Sequence, residues 1–132
     1  MQKAVRVREA IPHVASGWFE EEVKLLAFIN VGMYTVRQEK KEEFLALSKR
    51  ISDHMKGSKL LSEAIKSRRL FTRCMGGTYG EFIDVWEFKN WTDYDKYLRS
   101  YAEDEVWGGF WKEFMLLVEP STQSWINLDE VP

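Results

Sequence analysis

The stretch Phe82-Ile83-Asp84-Val85-Trp86-Glu87-Phe88 carries large apolar side chains on both of its faces. Phe82, Asp84, Trp86 and Phe88 alternate with Glu81, Ile83, Val85 and Glu87, a period of two rich in aromatic and β-branched residues, which is the pattern of a strand. A strand that is greasy on both sides belongs to a sheet that is covered on both sides. The chain then turns at Asn90-Trp91. Thr92, followed three positions later by Asp95, approximates a capping box, and Tyr94, Tyr97, Leu98 and Tyr101 share one face of the helix that follows.

A second doubly apolar strand is expected from Leu25 to Arg37. Ala27, Ile29, Val31 and Met33 lie on one face, and Leu26, Phe28, Asn30, Tyr34 and Val36 on the other. Phe44, Leu47, Ile51 and Met55 recur at three and four residues, which predicts a helix over Gln38–Met55 with Gly57 as its stop. Residues 58–63 read as a loop. Ala64–Met75 reads as an edge strand, because Ile65, Leu70, Phe71 and Cys74 are mixed with Lys66, Arg68, Arg69 and Arg73. Met75-Gly76-Gly77-Thr78 is a hairpin signal. A helix over Thr92–Glu103, a break at Gly108-Gly109, a short helix from Phe110 to Val118 ending before Pro120, and a last strand over Thr122–Leu128 complete the order.

That order is β-α-β-β-α-β, and the fold class it predicts is α+β, a ferredoxin-like antiparallel sheet with its helices on one face. Residues 1–25 read as an N-terminal arm and residues 26–132 as a single domain. The chain of 132 residues is 45% hydrophobic, enough for a real core, and its net charge of -2 gives no electrostatic reason to expect nucleic acid. No apolar run approaches the roughly 20 residues that span a bilayer, so no membrane partner is expected. The single cysteine, Cys74, excludes an internal disulfide. The default reading is a cytoplasmic protein. Aromatic residues make up 14% of the chain, with six tryptophans, and such a content implies an aromatic core, a large interface or a flat apolar ligand.

Two helices on one face leave the other face of the sheet bare. With Ile29, Val31, Ile83 and Val85 turned to the helices, Phe28, Tyr34, Phe82, Trp86 and Phe88 point away, a patch larger than monomers usually expose. A second copy packed sheet to sheet closes a barrel and leaves a cavity between the partners. The competing arrangement is a monomer in which residues 1–25 or the Phe110–Val118 helix fold over that face.

The segments Val31-Gly32-Met33-Tyr34 to Phe44-Leu45, Phe82 to Phe88, Asn90-Trp91-Thr92-Asp93-Tyr94-Asp95-Lys96-Tyr97, and Glu105-Val106-Trp107 with Phe110-Trp111 carry a resemblance. Over residues 25–128 the chain resembles the dimeric α/β-barrel superfamily, in particular its NIPSNAP-like and antibiotic-biosynthesis-monooxygenase-like members. The resemblance implies a homodimer with a ligand pocket on the sheet face. The superfamily also holds cofactor-free oxygenases, haem-degrading enzymes and isomerase-like members, so the likeness does not choose a function. The haem-degrading branch matches at Asn30 and Trp86 and uses a histidine of the second helix as iron ligand, but Thr92–Glu103 contains none.

Asn30 and Asp84 share the parity of the aromatic face and lie on neighbouring strands in the expected 4-1-3-2 order. With an even-length hairpin loop, Arg69 and Arg73 fall on that same face, where Arg69 can pair with Asp84 or bind an anionic ligand. The catalytic candidates are therefore Asp84, Arg69 and Asn30, and the ligand-binding candidates Trp86, Tyr34, Phe28 and Arg73. Each has a structural counterpart: an ion pair at the dimer seam for Asp84 and Arg69, and barrel filling for Trp86 and Tyr34. His54 reads as a helix-end residue and Cys74 as a small buried apolar group. Two isolated histidines give no metal-site spacing, and no metal or organic cofactor is expected. Two functions follow. One is a homodimeric, or higher-order, barrel that binds a small apolar or aromatic ligand, with monooxygenase-like or isomerase-like chemistry; the other is a non-catalytic association module.

Overall fold

The two-residue alternation read in the sequence becomes four antiparallel strands in a computed structural model, which describes residues 27–76 and 80–132. The strands are β1 (Phe28–Thr35), β2 (Ile65–Thr72), β3 (Glu81–Phe88) and β4 (Ser124–Asp129), in the sheet order β2-β3-β1-β4. Between β1 and β2 lie a 3-10 turn (Gln38–Lys40), helix α1 (Lys41–Gly57) and a short helix α2 (Lys59–Ala64). Helices α3 (Trp91–Glu103) and α4 (Glu105–Leu117) and a second 3-10 turn (Pro120–Thr122) connect β3 to β4. This is the expected ferredoxin-like α+β fold, with the charged strand β2 at one edge as expected. The arm assigned to residues 1–25 lies outside the described residues, as does the Gly77-Thr78 half of the hairpin signal. Gly76, in its first half, has a φ of 70°, the left-handed conformation for which a glycine was expected in the turn.

Several boundaries differ from the sequence reading for local reasons. Helix α1 runs through Gly57 and stops at Ser58, whose extended backbone breaks it and whose Oγ accepts from Leu61 N to start α2, where a loop was expected. At α3 the cap is Asn90, not Thr92, which already lies inside the helix; Asn90 Oδ1 accepts from Asp93 N at 2.9 Å. Gly108 and Gly109 do not break the last helix; they lie within α4. A Cβ at Gly108 would sit 2.8 Å from the Tyr101 carbonyl oxygen, so glycine is what lets α4 cross this close to α3. Cys74 is exposed rather than buried.

The main correction concerns which face of the sheet meets the helices. Phe28, Asn30, Tyr34, Phe82, Asp84, Trp86 and Phe88 are all buried. They pack against Phe44, Leu47, Leu61, Tyr97, Trp107, Phe114 and Leu117 of the chain's own helices. The aromatic face is therefore the intrachain core, and a cavity between partners on that face is ruled out by geometry. The rings are larger than Ile or Val, and burying them against helices removes the most apolar area from water. Among the described residues, the face left bare is the aliphatic one. Val31 pairs with Val85 on one side and Ile126 on the other, Ile29 with Leu128, and Met33 and Phe71 with Ile83. Phe71, Ile126 and Leu128 are more than 40% exposed, which makes this a continuous apolar surface.

Asp104 joins the helices at one end of the molecule. Its Oδ1 accepts from Trp107 N, capping α4, and its Oδ2 lies 2.7 Å from His54 Nε2 of α1. Partial burial pushes the Asp104 carboxyl up, but the His54 contact and the N–H groups of Trp107 and Val106 outweigh it and hold it below its ordinary 3.8. Asp104→Ala should cost about 1–2 kcal/mol in urea denaturation at neutral pH. Because the folded value is depressed, that contribution is complete above 3.8 and is lost as the pH falls through the folded value. The difference between wild type and variant should shrink with acidification.

Among the described residues, no helix is long and apolar enough to cross a membrane, and no group of three His, Cys, Asp or Glu side chains could hold a metal ion.

Candidate functional site

Alternation along β3 sends Asp84 inward between Phe82 and Trp86, so a carboxylate sits in the aromatic core at 2% exposure. Such a charge persists only with a partner. The partner is Arg68, whose Nε and Nη2 each donate to one carboxylate oxygen at 3.0 Å, a bidentate fork. Tyr34 Oη of β1 adds a third hydrogen bond to Oδ2 at 2.8 Å, and Arg68 Nη1 donates to Ser48 Oγ of α1 at 2.8 Å. The guanidinium also lies 5.0 Å from the Trp86 ring centroid. Burial would lower the Arg68 pKa, but the adjacent Asp84 outweighs it and holds Arg68 above its ordinary value. Burial, reinforced by the Asp84 charge, pushes the Tyr34 phenol far up, so it stays protonated and donates.

Beside this network is a chamber of about 40 Å³ walled by Trp86, Tyr97, Tyr101, Trp107, Phe110 and Trp125, among others, with Arg68 and Asp84 at its polar end. A neighbouring open groove of about 850 Å³ runs between α3 and α4 and is lined by Asn30, Tyr94, Leu98, Glu105, Lys112 and, again, Tyr97, Tyr101, Trp111 and Trp125. Four rings, Tyr97, Tyr101, Trp111 and Trp125, are common to both, so the chamber and the groove adjoin. The chamber has room for a few atoms only, so the groove is where the bulk of any ligand would lie. Two buried indole nitrogens, Trp86 Nε1 and Trp107 Nε1, have no hydrogen-bond acceptor among the described residues.

The structure gathers some of the expected residues and disperses others. Asp84, Tyr34 and Trp86 converge on one network. Asn30 lines the groove, but its amide is directed to β4, donating to Asn127 Oδ1 at 2.8 Å and to the Ile126 carbonyl at 3.4 Å. Phe28 packs against Phe88, Trp91 and Tyr94 and lines neither chamber nor groove. Arg69 and Arg73 are on the opposite face. Register pairs Arg68 with Trp86 and Thr72 with Phe82, residues of like parity, so the connection is odd in length and the inward arginine is Arg68. Arg69, opposite Val85, is exposed and lies over the Phe71 ring, while Arg73 pairs with Glu81.

Sequence reasoning missed Arg68, Ser48, Tyr101, Trp107 and Trp111 as site residues. The tyrosine face of α3 was legible as a stripe. That it lines a groove depends on α4, which the Gly108-Gly109 signal had seemed to interrupt.

No protein-family model matches the chain, and no curated protein matches it in sequence. Solved structures do share its fold. A conserved protein from Methanosarcina mazei superposes with a TM-score of 0.64 at 13% identity, covering 82% of this chain and 96% of that one. A structure described as an antibiotic biosynthesis monooxygenase gives 0.61 at 13% identity, covering 80% of this chain and 99% of its own. A NIPSNAP family protein from Agrobacterium tumefaciens gives 0.57 at 19% identity, with coverages of 80% and 85%. At these identities the likeness establishes the ferredoxin-like fold that NIPSNAP and monooxygenase-like proteins share.

Proposed function

We propose that the protein is a homodimer in which each copy binds a small apolar or aromatic molecule in its own chamber and groove, beneath α3 and α4. The observation that carries this reading is an aromatic-walled chamber that shares four rings with an open groove, next to a buried polar network that gives one end of the site an orientation. Binding is the core of the proposal. A monooxygenase-like or isomerase-like reaction on the bound molecule is the chemistry it extends to, in keeping with the monooxygenase among the fold neighbours. Asp84, Arg68 and Tyr34 would fix the polar wall, and Trp86 with Tyr97 would form the sides.

The second reading, a module that only associates, draws on the engagement of Asp84. Three donors hold its carboxylate, which makes it a poor general base as it stands. The two readings separate on whether a small molecule is held.

Dimerisation is supported by the aliphatic face, which nothing covers among the described residues. Two copies placed sheet to sheet would bury Val31, Val85, Ile126 and Phe71 at the usual inter-sheet spacing of about 10 Å. Native mass spectrometry should show a species at twice 15.6 kDa, carrying any co-purifying ligand. Val31→Glu, at the centre of that face, should convert it to the single 15.6 kDa chain with its far-ultraviolet circular dichroism unchanged. A wild-type protein that runs as a monomer would sink the dimer. Failure to retain any apolar ligand would sink the binding reading.

A further inference from the structure

Where the chamber meets the groove, one tyrosine pair has a donor to spare. Tyr97 Oη and Tyr101 Oη are 2.6 Å apart, and neither hydroxyl has another hydrogen-bond partner among the described residues. Two phenols hold two protons, and a single bond between them uses one. Whichever hydroxyl accepts keeps its own O–H to donate elsewhere. Both side chains line the chamber and the groove, so the spare donor is at their junction.

The arginine at the chamber end is already committed, and the two charges that line the groove sum to zero. Arg68 is forked onto Asp84 and its remaining nitrogen is on Ser48. On the groove side, Glu105 and Lys112 are of opposite sign. An anionic group entering the chamber would meet no uncommitted cation and would lose its hydration.

From these observations we infer that the Tyr97–Tyr101 pair is a specificity-determining donor, selecting uncharged apolar ligands that present a hydrogen-bond-accepting oxygen, such as a carbonyl, over both oxygen-free and anionic analogues. The inference rests on the binding reading above and narrows it. Burial supports the donor role. It pushes Tyr97 well up, helped by Tyr101, and pushes Tyr101 up to about 12, so both phenols hold their protons throughout the neutral range.

The test uses three compounds of one skeleton: fluorene, 9-fluorenone and fluorene-9-carboxylate, measured by equilibrium dialysis against the full chain. The ketone should bind about fivefold more tightly than the hydrocarbon, the size of one net hydrogen bond. The carboxylate should bind more weakly than either. In the double variant Tyr97→Phe/Tyr101→Phe, which keeps both rings, the ratio of ketone to hydrocarbon affinity should fall to about one, whatever the absolute affinity for fluorene. Far-ultraviolet circular dichroism checks that the variant is folded. Equal binding of ketone and hydrocarbon by wild type, tightest binding of the carboxylate, or a ketone advantage that survives in the variant would each overturn the inference while leaving the binding site standing. Absence of binding by all three would overturn both.

Discussion

Asp84→Ala should destabilise the fold by about 3–5 kcal/mol, because it leaves the Arg68 guanidinium buried without its counter-charge. A domain of this kind has a total stability of about 5–15 kcal/mol, so the variant should lie close to unfolding. Arg68 has a side-chain exposure of 5%, too little for water to replace the carboxylate, and Tyr34 loses its acceptor in the same step. The expectation is specific to breaking the pair. Removing both charges together, as in Asp84→Leu/Arg68→Met, should recover most of the loss, since well-packed apolar side chains avoid the cost of desolvating two ions. Urea denaturation of the two variants against wild type decides the matter. A single variant within 1 kcal/mol of wild type would mean that the pair is hydrated and that the interior is not as drawn, by the magnitude expected of exposed pairs.

Trp107→Ala has the second largest expected effect, about 3–5 kcal/mol, the usual loss for deleting a buried tryptophan. Trp107 is 1% exposed and is in ring contact with Trp86, Tyr97, Tyr101, Phe110 and His54, so its removal uncouples α4 from α3, α1 and the sheet at once. The same truncation enlarges the chamber by most of an indole, and a cavity lined by rings stays dry and accepts apolar guests. Added benzene should therefore raise the melting temperature of the variant by more than it raises that of wild type. Benzene without effect on the variant would show that the surrounding rings had collapsed into the space.

The strands, their order and the helix count of the ferredoxin-like core were legible because each rests on a local signal. Those signals are alternation in β1 and β3, three-and-four spacing in α1, and a charged edge in β2. The side of the sheet that meets the helices was not legible in the same way. Both parities of β1 and β3 are apolar, so Ile29, Val31, Ile83 and Val85 satisfy a helix-facing pattern as well as Phe28, Tyr34, Phe82 and Trp86 do. The choice is made by volume across the interface, where Phe44, Trp107 and Phe114 demand large partners, and no single segment encodes it. Asp84 among the aromatics was expected to be a polar group of a pocket shared between partners. Its burial became comprehensible only with Arg68 opposite, which in turn depends on a loop parity that the glycine signal does not specify. The site was half legible for the same reason. Asp84, Tyr34 and Trp86 lie on strands whose register is fixed, whereas Tyr101, Trp107 and Trp111 acquire their role from the crossing of two helices.

The two consecutive arginines of β2 have a consequence for how the chain reaches this arrangement. Were β2 to dock one residue out of step, Arg69 would take the inward place of Arg68 and could still fork onto Asp84, so the strongest electrostatic attraction in the interior is nearly indifferent between two alignments. What separates them is modest: Leu70 against the bulkier Phe71 beneath the helices, the reach of the guanidinium to Ser48, and the length of the connection to Glu81. A protein built this way has an alternative alignment one step away that would keep the charge pairing, so packing, not charge, has to set the register of β2 on β3.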